Sequence, residues 1–526
     1  MEFSFLLFLT LLLIICAFPL LVNSLIPNPN PKQFNPPPSP PAIPILGHLH
    51  LIRQPIHRTL QSLSAKYGKI LSLRLGSRRV LLVSTPAAVE ECFTRHDLAF
   101  AGRPQLLAGK YFHYDFTTVF VAPYGDHWRN LRRILNNALF STASLARFAA
   151  VREAETRSLV ERIARWGSIW GYRGNVVELK SQIREATFNT MTMAVLGKRY
   201  YGGGRGDGDD ASDSEANEFK QVMRDIVYLC GKNLIDFLPI LQRVDLFRTE
   251  KRMAALREKM DKFLQGLVDE NRRKLGEEKE EEAVIIEDLL NLQREEPEFL
   301  TDQILKGIIL VILIGGTDTV ATAIEWAMAL LLNHPEVMTK LGAEIASKVG
   351  QERLVSELDL SNLAYLNHVI DETLRLYPPA PLLGVHQASE DCSVGGYDVR
   401  KGTILMVNAW AIHRDPEAWE NPTEFVPERF EEGFRNVVVG GGGEGCCKSF
   451  PFGLGRRGCP GVAVANRVMG LVLGCLVQGF EWERIGMGAV DMTEGLGLTL
   501  PRVEPLNVMC KPRDLAMSLL VEPLDL

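Results

Sequence analysis

The sequence predicts a mainly α-helical protein with a minor β-sheet region. From about residue 124 onward, apolar residues recur at helical spacing. Before that, "GKILSLRLGSRRVLLVSTP" alternates around a Gly-Ser pair, as a hairpin does. One segment, "TDQILKGIILVILIGGTDTVATAIEWAMALLLNHPE" (301–336), is apolar nearly all round and so belongs in a core.

The chain has 526 residues, 46% of them hydrophobic and 23% charged, which places it among globular proteins. Its net charge of −6 and lack of a basic stripe exclude a nucleic-acid partner. Nine cysteines without CxxC spacing argue against both a disulfide framework and a zinc site, so a reducing compartment fits.

At the N-terminus, "FSFLLFLTLLLIICAFPLLV" (3–22) carries no charge and is long enough to cross a bilayer as a helix. A cleaved signal peptide is the competing reading. It calls for a basic n-region and a small-residue cleavage site, but the flanks here are Glu2 and Asn23-Ser24-Leu25. Residues 1–26 are therefore expected to be a transmembrane anchor. The basic residues from Lys32 onward favour a cytosolic body. Residues 27–47 are rich in proline, which holds extended, semi-rigid backbone and marks a hinge or spacer. No second linker of this kind follows, so 48–526 is read as one domain. The polar runs 202–215 and 276–282 and the glycine-rich 437–448 read as surface loops.

The helix over 301–335 opens with Thr301 or Asp302 as cap and stops before Pro335. A second membrane span is disfavoured by Asp302, Lys306, Asp318 and Glu325 along its length. Two glycines at its middle, Gly315 and Gly316, let it open locally or let a flat group pack on it. Asp318 and Thr319 follow at once. They form either a proton-delivery pair or part of a bent core helix with a back-bonding threonine. In "NLAYLNHVIDETLRLYPPAP", Glu372 and Arg375 share a helix face at i and i+3, and Arg429 of "FVPERF" is a candidate third member for a buried ion cluster.

"FGLGRRGCPG" (452–461) boxes Cys459 between glycines, a proline and two arginines, ahead of an apolar helix. Nearby cations and a helix N-terminus lower a thiol's pKa. No His/Asn pattern supports nucleophilic catalysis, so a thiolate ligand to haem iron fits better. Phe452 would pack on the sulfur and Arg457 would pair with a propionate.

These residues carry a resemblance. Phe452, Gly455, Arg457, Cys459 and Gly461 match F-x-x-G-x-R-x-C-x-G, the haem signature of the cytochrome P450 family. "GGTDT" resembles its oxygen-activating motif. "ETLR" with "PERF" resembles its Glu–Arg–Arg triad, and "WRNLR" its W-x-x-x-R helix. The resemblance covers the whole chain after the anchor. Val320, Gly458 and Val385 depart from common versions of these motifs.

It implies a single catalytic domain of cytochrome P450 type behind a transmembrane helix in the endoplasmic reticulum, with the domain cytosolic. It implies haem b ligated by Cys459, with O2 and electrons from NADPH through NADPH–cytochrome P450 reductase. Trp128, Arg132, His386 and Arg457 would hold propionates, Asp318 and Thr319 would be catalytic, and Glu372, Arg375 and Arg429 structural. The reductase would dock near Arg129, Arg133, Lys448 and Arg456.

"NAWAIHRDPEAW" and the C-terminal run from Asp491 resemble the plant branch near the isoflavone hydroxylases. That implies hydroxylation of a small hydrophobic phenolic, with oxidative phenol coupling or methylenedioxy-bridge formation as the alternative. A hydroperoxide isomerase and a non-enzymatic haem protein are disfavoured by the Asp318–Thr319 pair. The substrate would meet 106–120, 222–238, 312–319 and 380–385, with His113 and Tyr114 read as exposed rather than as phenol-binding groups.

Overall fold

The computed structural model describes residues 34–520, apart from 170–175, 202–218, short gaps between 220 and 247, 276–283, 432–447 and 498. The expected anchor at 1–26, the start of the hinge and most of the three surface loops lie outside the described residues.

The described half of the hinge packs onto the body rather than standing free of it. Ser72 N–H donates to the Pro38 carbonyl at 2.9 Å, and Gly76 N–H to that of Leu46 at 3.1 Å. Helix α1 (Ile56–Tyr67) leads into β1 (Ile70–Leu75) and β2 (Arg78–Val83), the expected hairpin. Its register runs from Ile70 opposite Val83 to Leu75 opposite Arg78. Gly76 makes the turn at φ 58°, where a Cβ would also lie 1.9 Å from the Phe237 carbonyl oxygen, so only glycine fits.

The rest is predominantly helical. The elements that position the site are α2 (Asp126–Leu135), α3 (Leu179–Leu196), α4 (Thr249–Lys274), α5 (Asp302–Asn333) and α6 (Ala364–Leu376). These are followed by β3 (His386–Gln387), β4 (Ile404–Val407), α7 (Ala409–Ile412) and α8 (Val462–Gly479). The first sheet has the order β1-β2-β4-β3, and a second joins 176–178, 507–512 and 480–484.

α5 is the axis of the core. Its 32 residues run about 48 Å. Thr301 caps it by accepting from Ile304 N–H. Most of its side chains are buried against protein, and its charges have protein partners: Lys306 with Asp261, Glu325 with Lys180, Asp302 with Arg272. That is a core helix, as its charge spacing predicted. It stays continuous through Gly315 and Gly316, so the expected local opening is not seen.

α6 ends ahead of Pro378, and Glu372 and Arg375 on it have no exposed side-chain surface. Glu372 receives Arg375 Nε at 2.6 Å and Nη2 at 2.8 Å, Arg429 Nε at 3.0 Å and Val426 N–H at 3.0 Å. Arg375 also donates to the carbonyls of His413, Pro422 and Glu424. The sequence-predicted triad is therefore assembled and saturated. Glu372→Ala strands a buried guanidinium, a loss of roughly 3–5 kcal/mol. We expect little or no folded E372A protein, checked by yield and thermal unfolding.

A second buried carboxylate joins distant elements. Glu494 accepts from His57 Nε2 (2.8 Å) and Arg58 Nε (2.7 Å) on α1 and from Trp410 Nε1 (2.7 Å) on α7. Burial pushes its pKa up, but His57 and Arg58 prevail and hold it at about 2, below the ordinary 4.5. The unfolded carboxyl thus takes up a proton first. The stabilisation is complete above pH 4.5 and is lost as pH falls toward about 2. Across that window the thermal midpoint of wild type should fall more steeply than that of E494Q.

Candidate active site

The Cys459 loop is shaped by its glycines. Gly455 adopts φ 67°, and a Cβ there would sit 2.3 Å from Asp97 Oδ1. Cys459 N–H donates to the Phe452 carbonyl at 2.9 Å, which closes the loop just before α8.

The arginines beside Cys459 in sequence do not serve its sulfur. Arg456 pairs with Asp97 at 3.0 Å. Arg457 donates to the carbonyls of Ala101 (2.8 Å), Val119 (3.2 Å) and Ala122 (2.6 Å). The cation acting on the thiol is Arg132 of α2. Burial pushes the thiol up, and the Gly461 N–H and Arg132 oppose this without overcoming it. A bound metal would tip this balance, because it ionises a coordinating thiol outright.

Behind the loop lies a cluster of cations. Arg457 stacks 4.6 Å from the Trp128 ring, whose Nε1 donates to the Val119 carbonyl at 3.0 Å. His386 Nδ1 donates to the Phe100 carbonyl at 2.8 Å. Arg103, which the sequence reading missed, donates to the carbonyls of Gly384 (2.7 Å), Val385 (2.5 Å) and Phe120 (3.2 Å). Among the described residues, none of Arg103, Arg132, Arg457 and His386 has a carboxylate within ion-pair reach.

Burial depresses Arg103 to about 10, and burial with Arg103 and Arg132 nearby depresses Arg457 to about 9. His386 lies well below its ordinary range, through burial and then Arg103. The three arginine charges, left uncompensated, are costly without an anion, and a dianion suits them. These residues fit haem, whose two propionates supply that charge.

On the facing side, α3 presents Arg184, Thr187 and Met191, at i, i+3 and i+7, to the motif on α5. Arg184 Nε meets Asp318 Oδ1 at 2.8 Å, and Thr187 Oγ1 lies 3.4 Å from the Thr317 carbonyl. A Cβ on Gly316 would meet Met191 Sδ at 2.4 Å, whereas one on Gly315 would meet nothing within 4 Å. One glycine admits α3; the other leaves open space. Thr319 Oγ1 donates to the Gly315 carbonyl at 2.7 Å, so in this state it back-bonds. Val320 is buried, 5% exposed.

Of the expected substrate stretches, 106–120 and 222–238 both contribute to a pocket of about 210 Å³, through Leu106, Leu107 and Phe116 on one side and Ile235 and Asp236 on the other. Tyr114 is not exposed as expected. It is 2% exposed, in a left-handed turn formed by Tyr114, Asp115 and Phe116, and His113 bonds to Thr118 Oγ1. Among the cations expected to face a reductase, Arg129, Arg133 and Arg456 each have a local carboxylate: Asp126, Glu296 and Asp97.

The two glycines give opposite expectations. Gly315→Ala gains helix propensity of roughly 1 kcal/mol without a clash and should raise the thermal midpoint. Gly316→Ala must displace Met191 and should lower it relative to G315A.

The comparisons agree with this geometry. The family model for cytochrome P450 matches residues 37–506. An isoflavone 3'-hydroxylase from Medicago truncatula is 45% identical, over 92% of this chain and 93% of its own. A (+)-piperitol/(+)-sesamin synthase from Sesamum radiatum is 43% identical, over 91% and 90%. A solved zebrafish cytochrome P450 with progesterone superposes with TM-score 0.73 at 25% identity, over 88% of this chain and all of that one. With a match running from the hinge into the last sheet, the chain belongs to the cytochrome P450 family and is a haem-thiolate monooxygenase.

Proposed function

We propose that this enzyme hydroxylates the aromatic ring of a plant phenolic of flavonoid or isoflavonoid type. The observation that carries the proposal is its likeness, over nearly all of both chains, to an enzyme named as an isoflavone hydroxylase. Aromatic side chains on the 106–120 stretch, Tyr111, Phe112 and Phe116 among them, suit a planar ring. Methylenedioxy-bridge formation or oxidative coupling is the second reading, favoured by the likeness to the sesamin synthase. Electrons would come from NADPH through NADPH–cytochrome P450 reductase. The N-terminal apolar run would anchor residues 48–526 on the cytosolic side of the endoplasmic reticulum.

When bound, haem supplies the iron at which dioxygen is activated. Cys459 would hold its iron through the thiolate sulfur, and Arg103, Arg132, Arg457 and His386 would hold the propionates. Asp318 is 29% exposed at its side chain, so it can exchange protons with solvent. Leaving Arg184, it would pass a proton to the Thr319 oxygen, and the hydroxyl, turned from the Gly315 carbonyl, would hand its own proton on into the pocket. The apolar face of α5 keeps other water out.

In microsomes containing the protein, reductase and NADPH, fed isoflavones, flavanones and lignans, we expect a product heavier by one oxygen atom. A product lighter by two hydrogens would establish coupling or bridge closure instead, and no turnover on any of these would remove the phenolic reading. Asp318→Asn should slow product formation by about 100-fold, the scale of one general acid, with haem content unchanged.

A further inference from the structure

We infer that His413 is a positioning residue that ties the buried Glu372–Arg375 pair to the cysteine loop. Its backbone carbonyl accepts from Arg375 Nη1 at 2.6 Å, and its ring Nε2 accepts from Phe450 N–H at 3.0 Å. From Phe450 the chain of bonds continues into the loop: Gly453 N–H donates to the Phe450 carbonyl at 3.0 Å, and Cys459 N–H to that of Phe452 at 2.9 Å. One residue thus faces the triad with its backbone and the ligand loop with its side chain.

The chemistry requires an imidazole in one state. His413 and Phe450 are both fully buried, with their rings 5.0 Å apart in an edge contact. To accept from an N–H, Nε2 must be bare, so the proton sits on Nδ1. Among the described residues Nδ1 has no hydrogen-bond partner. The ring is therefore oriented by what Nε2 receives and not by Nδ1. Burial, with Arg375 and Arg414 adding to it, depresses its pKa to about 3, so it stays neutral and able to accept at working pH. A leucine here would fill the space but leave the Phe450 N–H buried and unpaired.

The inference rests on Cys459 as the haem ligand, and the experiment keeps the two apart. The holoproteins of wild type, H413L, H413Q and Cys459→Ser are purified, and their folding is checked by circular dichroism. Two readouts follow: the share of the carbon monoxide complex with a thiolate-type Soret band, and amide exchange of peptides spanning 449–459. H413L should lose haem or thiolate ligation by about tenfold, the scale for groups that orient a metal ligand, and those peptides should exchange faster. H413Q, whose amide oxygen can accept, should restore most of both.

A wild-type band and exchange in H413L would overturn the inference, as would equal losses in H413L and H413Q. If H413L does not fold, H413Q decides alone: a retained thiolate band supports the role and a lost one removes it. A thiolate band surviving in C459S would instead overturn the ligand assignment itself.

Discussion

The structure depends on a single buried carboxylate. Glu372 is fully enclosed and accepts four hydrogen bonds, three from guanidinium nitrogens and one from the Val426 backbone. A carboxylate taken out of water costs several kcal/mol unless it is hydrogen-bonded, and here Oε1 accepts three bonds and Oε2 one, from two guanidinium groups and a backbone N–H. The spare donors of Arg375 and Arg429 go to the carbonyls of His413, Pro422, Glu424, Glu420 and Asn421. The ion cluster thereby fixes 413–429, a stretch with little regular secondary structure of its own. Such irregular backbone can be buried because its carbonyls have charged donors.

The same rule, broken, marks the functional site. Arg103, Arg132 and Arg457 are half-buried cations with carbonyl partners or none. Neutral acceptors satisfy their N–H groups but not their charge, which is why burial and mutual repulsion depress Arg457. Glu372 shows that this chain can compensate a buried charge fully. Arg414, beside Trp410 and Tyr377, is another buried cation without an ion-pair partner among the described residues, so what sets the site apart is that Arg103, Arg132 and Arg457 lie close enough to act on one another and, through Arg132, on Cys459.

Much of this was legible in the sequence where chemistry is local. The Gly76-Ser77 turn and its alternating flanks set the hairpin, the Thr301 cap set where α5 starts, and the spacing of 452–461 set the cysteine loop. Reading failed where a residue's role is decided by distant backbone. Arg103 sits in "AGRP" with no periodicity around it, and its partners at 384 and 385 come from far along the chain. Arg184, Thr187 and Met191 form a visible helical stripe, but nothing local says that it faces the Asp318 motif. Arg456 misled because adjacency to Cys459 in sequence is not adjacency to its sulfur: it pairs with Asp97. Tyr114 misled because its polar hydroxyl suggested a surface, whereas it is buried, in a left-handed turn at 114–116 that no local pattern announces.

The two ion pairs on the facing helices differ in a way that suits their tasks. Glu372–Arg375 is wholly buried, so separating it is prohibitive and it holds one geometry. Arg184–Asp318 is about one-third exposed on each side, and pairs of that kind are worth no more than about 1 kcal/mol. If Asp318 alternates between solvent and Thr319, as proposed, such a weak hold suits it: strong enough to set its resting position, weak enough to release within a turnover. Thr319 is held as lightly, by one back-bond to Gly315. Beside it, the open space at Gly315 leaves room for the hydroxyl to turn. Rigidity is thus concentrated around the proposed support of the Cys459 loop and looseness around the proposed Asp318–Thr319 proton path, on helices that pack against each other.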